Sequence, residues 1–295
     1  MDILLCAGED GLLFRHASVW HTLRCPLAAP SLLLATFPAP IVADNYARLL
    51  AVDQQLFPLP AGVEDAALWR GHALLLSGDA DSLTLADLST GLPLIMTSVG
   101  VYPQAVAVRD NTAIVAGGAD GNVRLLALPS LQTLNAWVFP GNVQRFAYQC
   151  GTLCVLSAVE DRGLCCLVSQ LLLRTGRVTS LLTLRGLPGA VCGDGHGGLW
   201  VAASEQLCHF NAAMQLDHRV DGIGLPRHLC PTAHGLLITD PVLGALLLLP
   251  PHGPMRTLYQ GDVRHALPVA QSSSWTKKAA VLTRRTTADV AGITR

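Results

Sequence analysis

Two Arg-His pairs, Arg227-His228 and Arg264-His265, stand 37 positions apart in a chain of 295 residues. Arginine offers a planar, permanently charged fork that grips carboxylates and phosphates through two parallel hydrogen bonds. Histidine titrates near neutral pH and can act as base, acid or ligand. Brought side by side, the pairs would form an anion-binding or acid–base site. His228 and His265 are the candidate catalytic residues. Arg227, Arg264, Arg145, Glu64, Asp65, Gln104 and Gln144 are the candidate ligand-binding residues, because each holds an equivalent place in an internal repeat. The competing reading is a polar ring that solvates a channel and pairs internally.

The repeat that would position them is about 39 residues long, a period that signals a repeat architecture. Residues expected to open an inner strand are Pro30, Val63, Pro103, Val143, Pro188, Pro226 and Val263, at intervals of 33, 40, 40, 45, 38 and 37. Each interval holds four short apolar runs broken by Gly, Asp, Asn, Ser or Pro, as four-stranded antiparallel blades require. In the fourth blade the strands are expected at 104–108, 112–116, 123–127 and 133–139. After Val263 one strand remains, at 264–270, and the N-terminus supplies three, at 3–6, 12–15 and 19–23. Together these complete one blade, which closes the ring. The expected fold is all-β: a single seven-bladed β-propeller over 1–270. Residues 271–295 carry Lys277, Lys278, Arg284, Arg285 and Arg295 against Asp289. They are expected to form a disordered basic tail, with a docking arm as the alternative.

In such a blade, strand one begins on the face where strand two ends. The opening residues and the turns between strands two and three therefore surround the mouth of a central channel, a usual place for ligands. The ring there reads Ser31-Leu32, Glu64-Asp65, Gln104-Ala105, Gln144-Arg145, Gly189-Ala190, Arg227-His228 and Arg264-His265. The last two pairs come from neighbouring blades. Glu64 and Asp65 are expected to balance or pair with them. Asp10, Asp81, Asp120 and Asp161 recur in the turns between strands two and three, with Asp44, Glu205 and Asp240 nearby. Turn chemistry explains them better than a ring of metal ligands, because Asp bonds the local backbone.

Composition narrows the classes. The chain is 51% hydrophobic and 14% charged, with a net charge of −1 and a mean hydropathy of +0.41. The longest aliphatic runs, such as Ala245–Leu249, fall far short of the ~20 residues a membrane helix needs. The charge balance draws the chain toward neither nucleic acid nor anionic lipid. The start, Met1-Asp2-Ile3-Leu4-Leu5-Cys6, lacks the basic region of a signal peptide. Nine cysteines without paired spacing suggest reduced thiols and a cytoplasmic location. Cys150-x3-Cys154, Cys165-Cys166 and Cys192-x3-His196 do not match a zinc ribbon and read as small buried residues. Residues 193–198, Gly-Asp-Gly-His-Gly-Gly, precede a strand and open no helix, so they read as a tight turn. There is no G-x-S-x-G elbow. Trp20, Trp69, Trp137 and Trp200 are expected to pack between blades. No metal and no cofactor are expected, and the chain is expected to be a monomer.

The stretch Ser82-Leu83-Thr84-Leu85-Ala86-Asp87-Leu88-Ser89-Thr90-Gly91, followed by Gly100-Val101-Tyr102-Pro103-Gln104-Ala105-Val106-Ala107-Val108, resembles the YVTN-type repeat of seven-bladed, NHL-like propellers. Asp194–Val201 is similar to the Asp-Gly-x-Gly-x-Leu-Trp-Val turn of related propellers. The resemblance implies the scaffold, and that scaffold hosts many activities. Gly224-Leu225-Pro226-Arg227-His228-Leu229 resembles the Gly-Pro-Arg-His segment of propeller-type phosphogluconolactonases, with Leu225 where that family has glycine. That likeness implies Arg227 holding an anionic sugar acid and His228 assisting water attack as general base. A redox propeller, as among some YVTN relatives, is disfavoured by the lack of a C-x-x-C-H site. The expected function is a cytosolic binding or scaffold propeller that holds a small anion or a protein segment at the channel mouth. A lactone hydrolase is the alternative.

Overall fold

The computed structural model describes residues 1–35, 40–149, 151–161 and 163–269. The chain begins with β1 (Asp2–Cys6), β2 (Leu12–His16) and β3 (Val19–Leu23). Blade two is β4 (Leu32–Ala35), β5 (Ile41–Asp44), β6 (Leu49–Val52) and β7 (Gln55–Pro58). Blade three is β8 (Asp65–Trp69), β9 (His72–Ser77), β10 (Ser82–Asp87) and β11 (Pro93–Ser98). Blade four is β12 (Ala105–Arg109), β13 (Thr112–Gly117), β14 (Asn122–Ala127) and β15 (Thr133–Val138). Blade five is β16 (Asn142–Gln149), β17 (Thr152–Glu160), β18 (Leu164–Leu172) and β19 (Arg177–Arg185). Blade six is β20 (Pro188–Gly193), β21 (Leu199–Ala203), β22 (Gln206–Phe210) and β23 (Leu216–Asp221). Blade seven is β24 (His228–Thr232), β25 (Gly235–Asp240), β26 (Ala245–Leu249) and β27 (Arg256–Gln260), and β28 (His265–Val269) follows.

The sheets are seven, each of four antiparallel strands, and one has the order β28-β1-β2-β3. This is a seven-bladed β-propeller. The closing ladder pairs Ile3 with Pro268, Leu4 with Leu267, Leu5 with Ala266 and Cys6 with His265. Blade one is thus shared by both ends of the described chain. The last residues of the basic tail expectation, 271–295, lie outside the described residues.

The core is a set of seven clusters, one in each gap between neighbouring blades. Side chains alternate across a strand, so β1 sends Ile3 and Leu5 into the gap with blade seven, beside Leu237 and Leu246. It sends Leu4 and Cys6 into the gap with blade two, beside Leu33 and Val42. Because both faces of a blade are buried, the inner strands read as unbroken apolar runs rather than alternating ones. This is the origin of the high hydropathy. Tryptophans work in the same gaps. The Trp20 indole N–H donates to Leu258 O of blade seven (2.9 Å), and that of Trp69 donates to Asp110 O of blade four (3.0 Å). Cys154, Cys166 and Cys208 are buried among apolar side chains, and burial pushes the Cys154 thiol up to about 11.

The acidic turns act on backbone. Asp240 is fully buried, and its carboxylate accepts N–H bonds from Gly224 (2.6 Å), Leu225 (3.2 Å), Val242 (3.1 Å) and Leu243 (3.1 Å). Asp44 likewise accepts from Ala29 and Ala47. Each clamps the segment entering its blade to the turn leaving strand two.

Candidate functional site

The first strands of the blades line the axis, and neighbouring ones touch in sequence around it. At one end they enclose a cavity of about 590 Å³. Its wall includes Ser31, Glu64, Asp65, Arg145, Arg227, His228, Arg264 and His265. Gln104 and Gln144 are not on that wall. The Gln104 side chain turns back to Tyr102 O (3.2 Å) and that of Gln144 to Asn142 Oδ1 (2.9 Å). Their main chains take part instead, because Arg145 Nη1 donates to Gln104 O (2.8 Å) and Gln144 O (2.7 Å). A bulge between Val143 and Arg145 leaves Gln144 without a ladder partner, which re-aims the strand locally.

The acids sit differently from the expectation. Glu64 and Asp65 do not pair with the Arg-His cluster. Their cationic neighbour is Arg145, whose Nη2 lies 4.0 Å from Glu64 Oε1. Asp65 accepts N–H bonds from Val106 (2.8 Å) and Ala66 (2.9 Å). Burial still dominates and pushes its carboxyl up to about 6, against the pull of those N–H groups and of Arg145. Arg264 is also engaged. Its Nε lies 2.7 Å from Asp262 Oδ1 and its Nη2 2.9 Å from Asp262 Oδ2, a two-point grip within one loop.

Arg227 is exposed at the rim, and among the described residues its side chain has no ion pair and no hydrogen bond. It is near enough to Arg145 for the two guanidiniums to repel. Burial first, and then Arg227, push Arg145 below its usual range, while Asp65 and Glu64 oppose them.

His228 and His265 do come together, with ring centroids 4.2 Å apart at 47°. His265 Nδ1 accepts the Leu33 N–H (3.3 Å), and His228 Nδ1 is buried without a partner. Burial pushes His228 down to about 4, helped by Arg145, and holds His265 well below the usual range, helped by His228 and Arg145. Both rings are neutral at pH 7. Among the described residues, no carboxylate forms an ion pair with either.

Sequence reasoning missed Val242 in the apolar part of the wall, which also holds Phe146 and Leu229. It also missed a cleft of about 740 Å³ between blades six and seven, on the opposite face. There His209 Nδ1 lies 2.6 Å from Asp217 Oδ1 and Nε2 lies 3.0 Å from Asp194 Oδ2. The Trp200 ring is 4.5 Å from that of His209. No spacing rule links these residues, since the pairing of β21, β22 and β23 assembles them. Among the described residues no three His, Cys, Asp or Glu side chains form a set that could hold a metal ion. No helix among them is long and apolar enough to cross a membrane.

No family model and no curated protein matches the chain. Solved structures do. A functionally unknown protein from Desulfotomaculum acetoxidans is 10% identical with a TM-score of 0.69, over 91% of this chain and 99% of that one. Hydrazine synthase of Kuenenia stuttgartiensis is 11% identical with a TM-score of 0.67, over 78% and 79%. The WD40 domain of Neurospora crassa Pan2 is 12% identical with a TM-score of 0.60, over 79% and 80%. At these identities the likeness is one of fold alone.

Proposed function

We propose that this protein is a cytosolic, non-catalytic binding propeller that holds a small anion at the channel mouth. The observation that carries the reading is the unpaired Arg227 beside Arg145, two repelling guanidiniums over a cavity of about 590 Å³. An anion between them would relieve that repulsion and accept charge-assisted hydrogen bonds from Arg227. The other charges of the wall are matched within the protein. Asp262 holds Arg264, and backbone N–H groups hold Asp65. The described cysteines are free thiols, with Cys6, Cys154, Cys166 and Cys208 buried, which suits a reducing compartment.

Binding is favoured over lactone hydrolysis by the state of the histidines. A ring pushed down to about 4 is a weak general base at neutral pH. His228 also has no carboxylate to orient it, where a working base is usually held by a third group.

A thermal-shift screen with inorganic phosphate, citrate, gluconate and 6-phosphogluconate tests the reading. A ligand at 100 times its dissociation constant adds ~2.7 kcal/mol of stability. At least one anion should raise the melting temperature, and Arg227→Ala should abolish the rise without altering the melt of the free protein. A rise that survives Arg227→Ala removes that residue from the site. No rise with any of the four points to a protein segment as the occupant. Faster disappearance of glucono-δ-lactone with the protein present would favour the hydrolase.

A further inference from the structure

The wall of the mouth cavity is balanced in charge before any ligand enters. Glu64, Asp65, Arg145, Arg227 and Arg264 are its charged side chains. Asp262 neutralises Arg264 from outside the wall. His228 and His265 are neutral, and Asp65, which titrates at about 6, is mostly ionised at pH 7. Two acids therefore face two guanidiniums. The charges are also sorted in space. Glu64 and Asp65 stand where β8 opens blade three, and Arg227 stands just before β24 in blade seven. These blades are three steps apart by the shorter path around the axis, as far apart as seven blades allow. Arg145, in blade five, stands between them on the longer path and feels both the acids and Arg227.

An anion held between Arg227 and Arg145 draws on charge that balances the acids. Glu64 is the acid more affected. Its Oε1 lies 4.0 Å from Arg145 Nη2, beyond hydrogen-bond length, and among the described residues its carboxylate accepts no hydrogen bond. Asp65, by contrast, accepts two backbone N–H groups. A ligand that brings a negative charge alone leaves the wall in deficit by one positive charge. A ligand that also brings an ammonium restores the balance, and Glu64 is the free acceptor for it. Resting on the anion-binding reading above, we propose that the ligand is a zwitterion, an amino acid whose carboxylate meets Arg227 and whose ammonium meets Glu64. Because those partners stand on different sides of the axis, the two charged groups stand at opposite ends of the ligand, as in an ω-amino acid. Phe146, Leu229 and Val242 give the methylenes between them an apolar wall. Each end gains a charge-assisted hydrogen bond.

Thermal-shift titration at constant ionic strength tests the assignment, with γ-aminobutyrate and ε-aminohexanoate set against butyrate and hexanoate. At least one amino acid should bind about tenfold tighter than the carboxylate of its own length, the gain of one hydrogen bond between charged groups. The Glu64 side chain is 36% exposed, so Glu64→Gln should melt like the wild type. It should remove the preference for the amino acid, and Arg227→Ala should abolish binding of both ligands. A preference that survives Glu64→Gln overturns the proposal. If inorganic phosphate or citrate binds through Arg227 while neither amino acid outbinds its carboxylate, the zwitterion is rejected and the anion-binding reading stands. If no ligand of either kind acts through Arg227, both are rejected.

Discussion

Acidification should reveal the neutral histidines of the channel. An unfolded histidine takes up its proton near pH 6.5, whereas His228 in the folded protein does so at about 4. Between these values the unfolded chain binds more protons, so the His228 contribution to stability is lost as pH falls from 6.5 to 4. At 1.36 kcal/mol per pH unit the loss is about 3 kcal/mol. His265 acts in the same direction. Asp65 acts in the opposite one. Its folded pKa of about 6 lies above the ordinary aspartate value of 3.8, so its contribution is present at low pH and is lost as pH rises between 3.8 and 6. His228 and Asp65 nearly cancel, which leaves the acid loss from His265 in the wild type, and substitutions separate the contributions. His228→Phe keeps a ring in the gap and removes the titration. Between pH 7 and 4 its stability should change by about 3 kcal/mol more favourably than that of the wild type. Asp65→Asn should steepen the acid loss by a similar amount. Urea denaturation at pH 7, 5.5 and 4, followed by tryptophan fluorescence, measures both. If His228→Phe and wild type run parallel within about 1 kcal/mol across that range, the reasoning is refuted.

Other perturbations probe the scaffold. Asp240→Ala strands several buried N–H groups and should cost about 2–4 kcal/mol in denaturant midpoint analysis without changing the sheet signal in circular dichroism. Ile3→Ala, at a fully buried position in the gap between blades one and seven, should cost about 2–5 kcal/mol by the same assay. A deletion from residue 265 onward removes β28, bares the inner edge of β1 and should leave the chain aggregated on size exclusion. Arg264→Ala should weaken anion binding much less than Arg227→Ala in calorimetric titration, because Asp262 already occupies Arg264.

Much of the fold was legible because a propeller is a local pattern repeated. In blade four the four apolar runs and their turns placed every strand within a residue or two of its observed bounds. The missing strand at the end of the chain, and the three spare ones at its start, foretold the β28–β1 ladder. Strand periodicity also brought His228 beside His265, but it set Gln104 and Gln144 on a wall they do not line.

Pairing at the mouth was not legible in the same way. The repeat gives each residue an angle around the axis, but the reach and direction of its side chain depend on neighbours far away in sequence. Arg145 crosses to the Gln104 carbonyl because a bulge at Gln144 re-aims its strand. Arg264 folds onto Asp262, and Glu64 and Asp65 face Arg145 rather than the Arg-His pairs. The sequence by itself determined the number of blades and the closure, since these follow from period and alternation. The tertiary structure alone decided which charges are already satisfied and which one, Arg227, has no side-chain partner among the described residues, because only packing sets burial and distance.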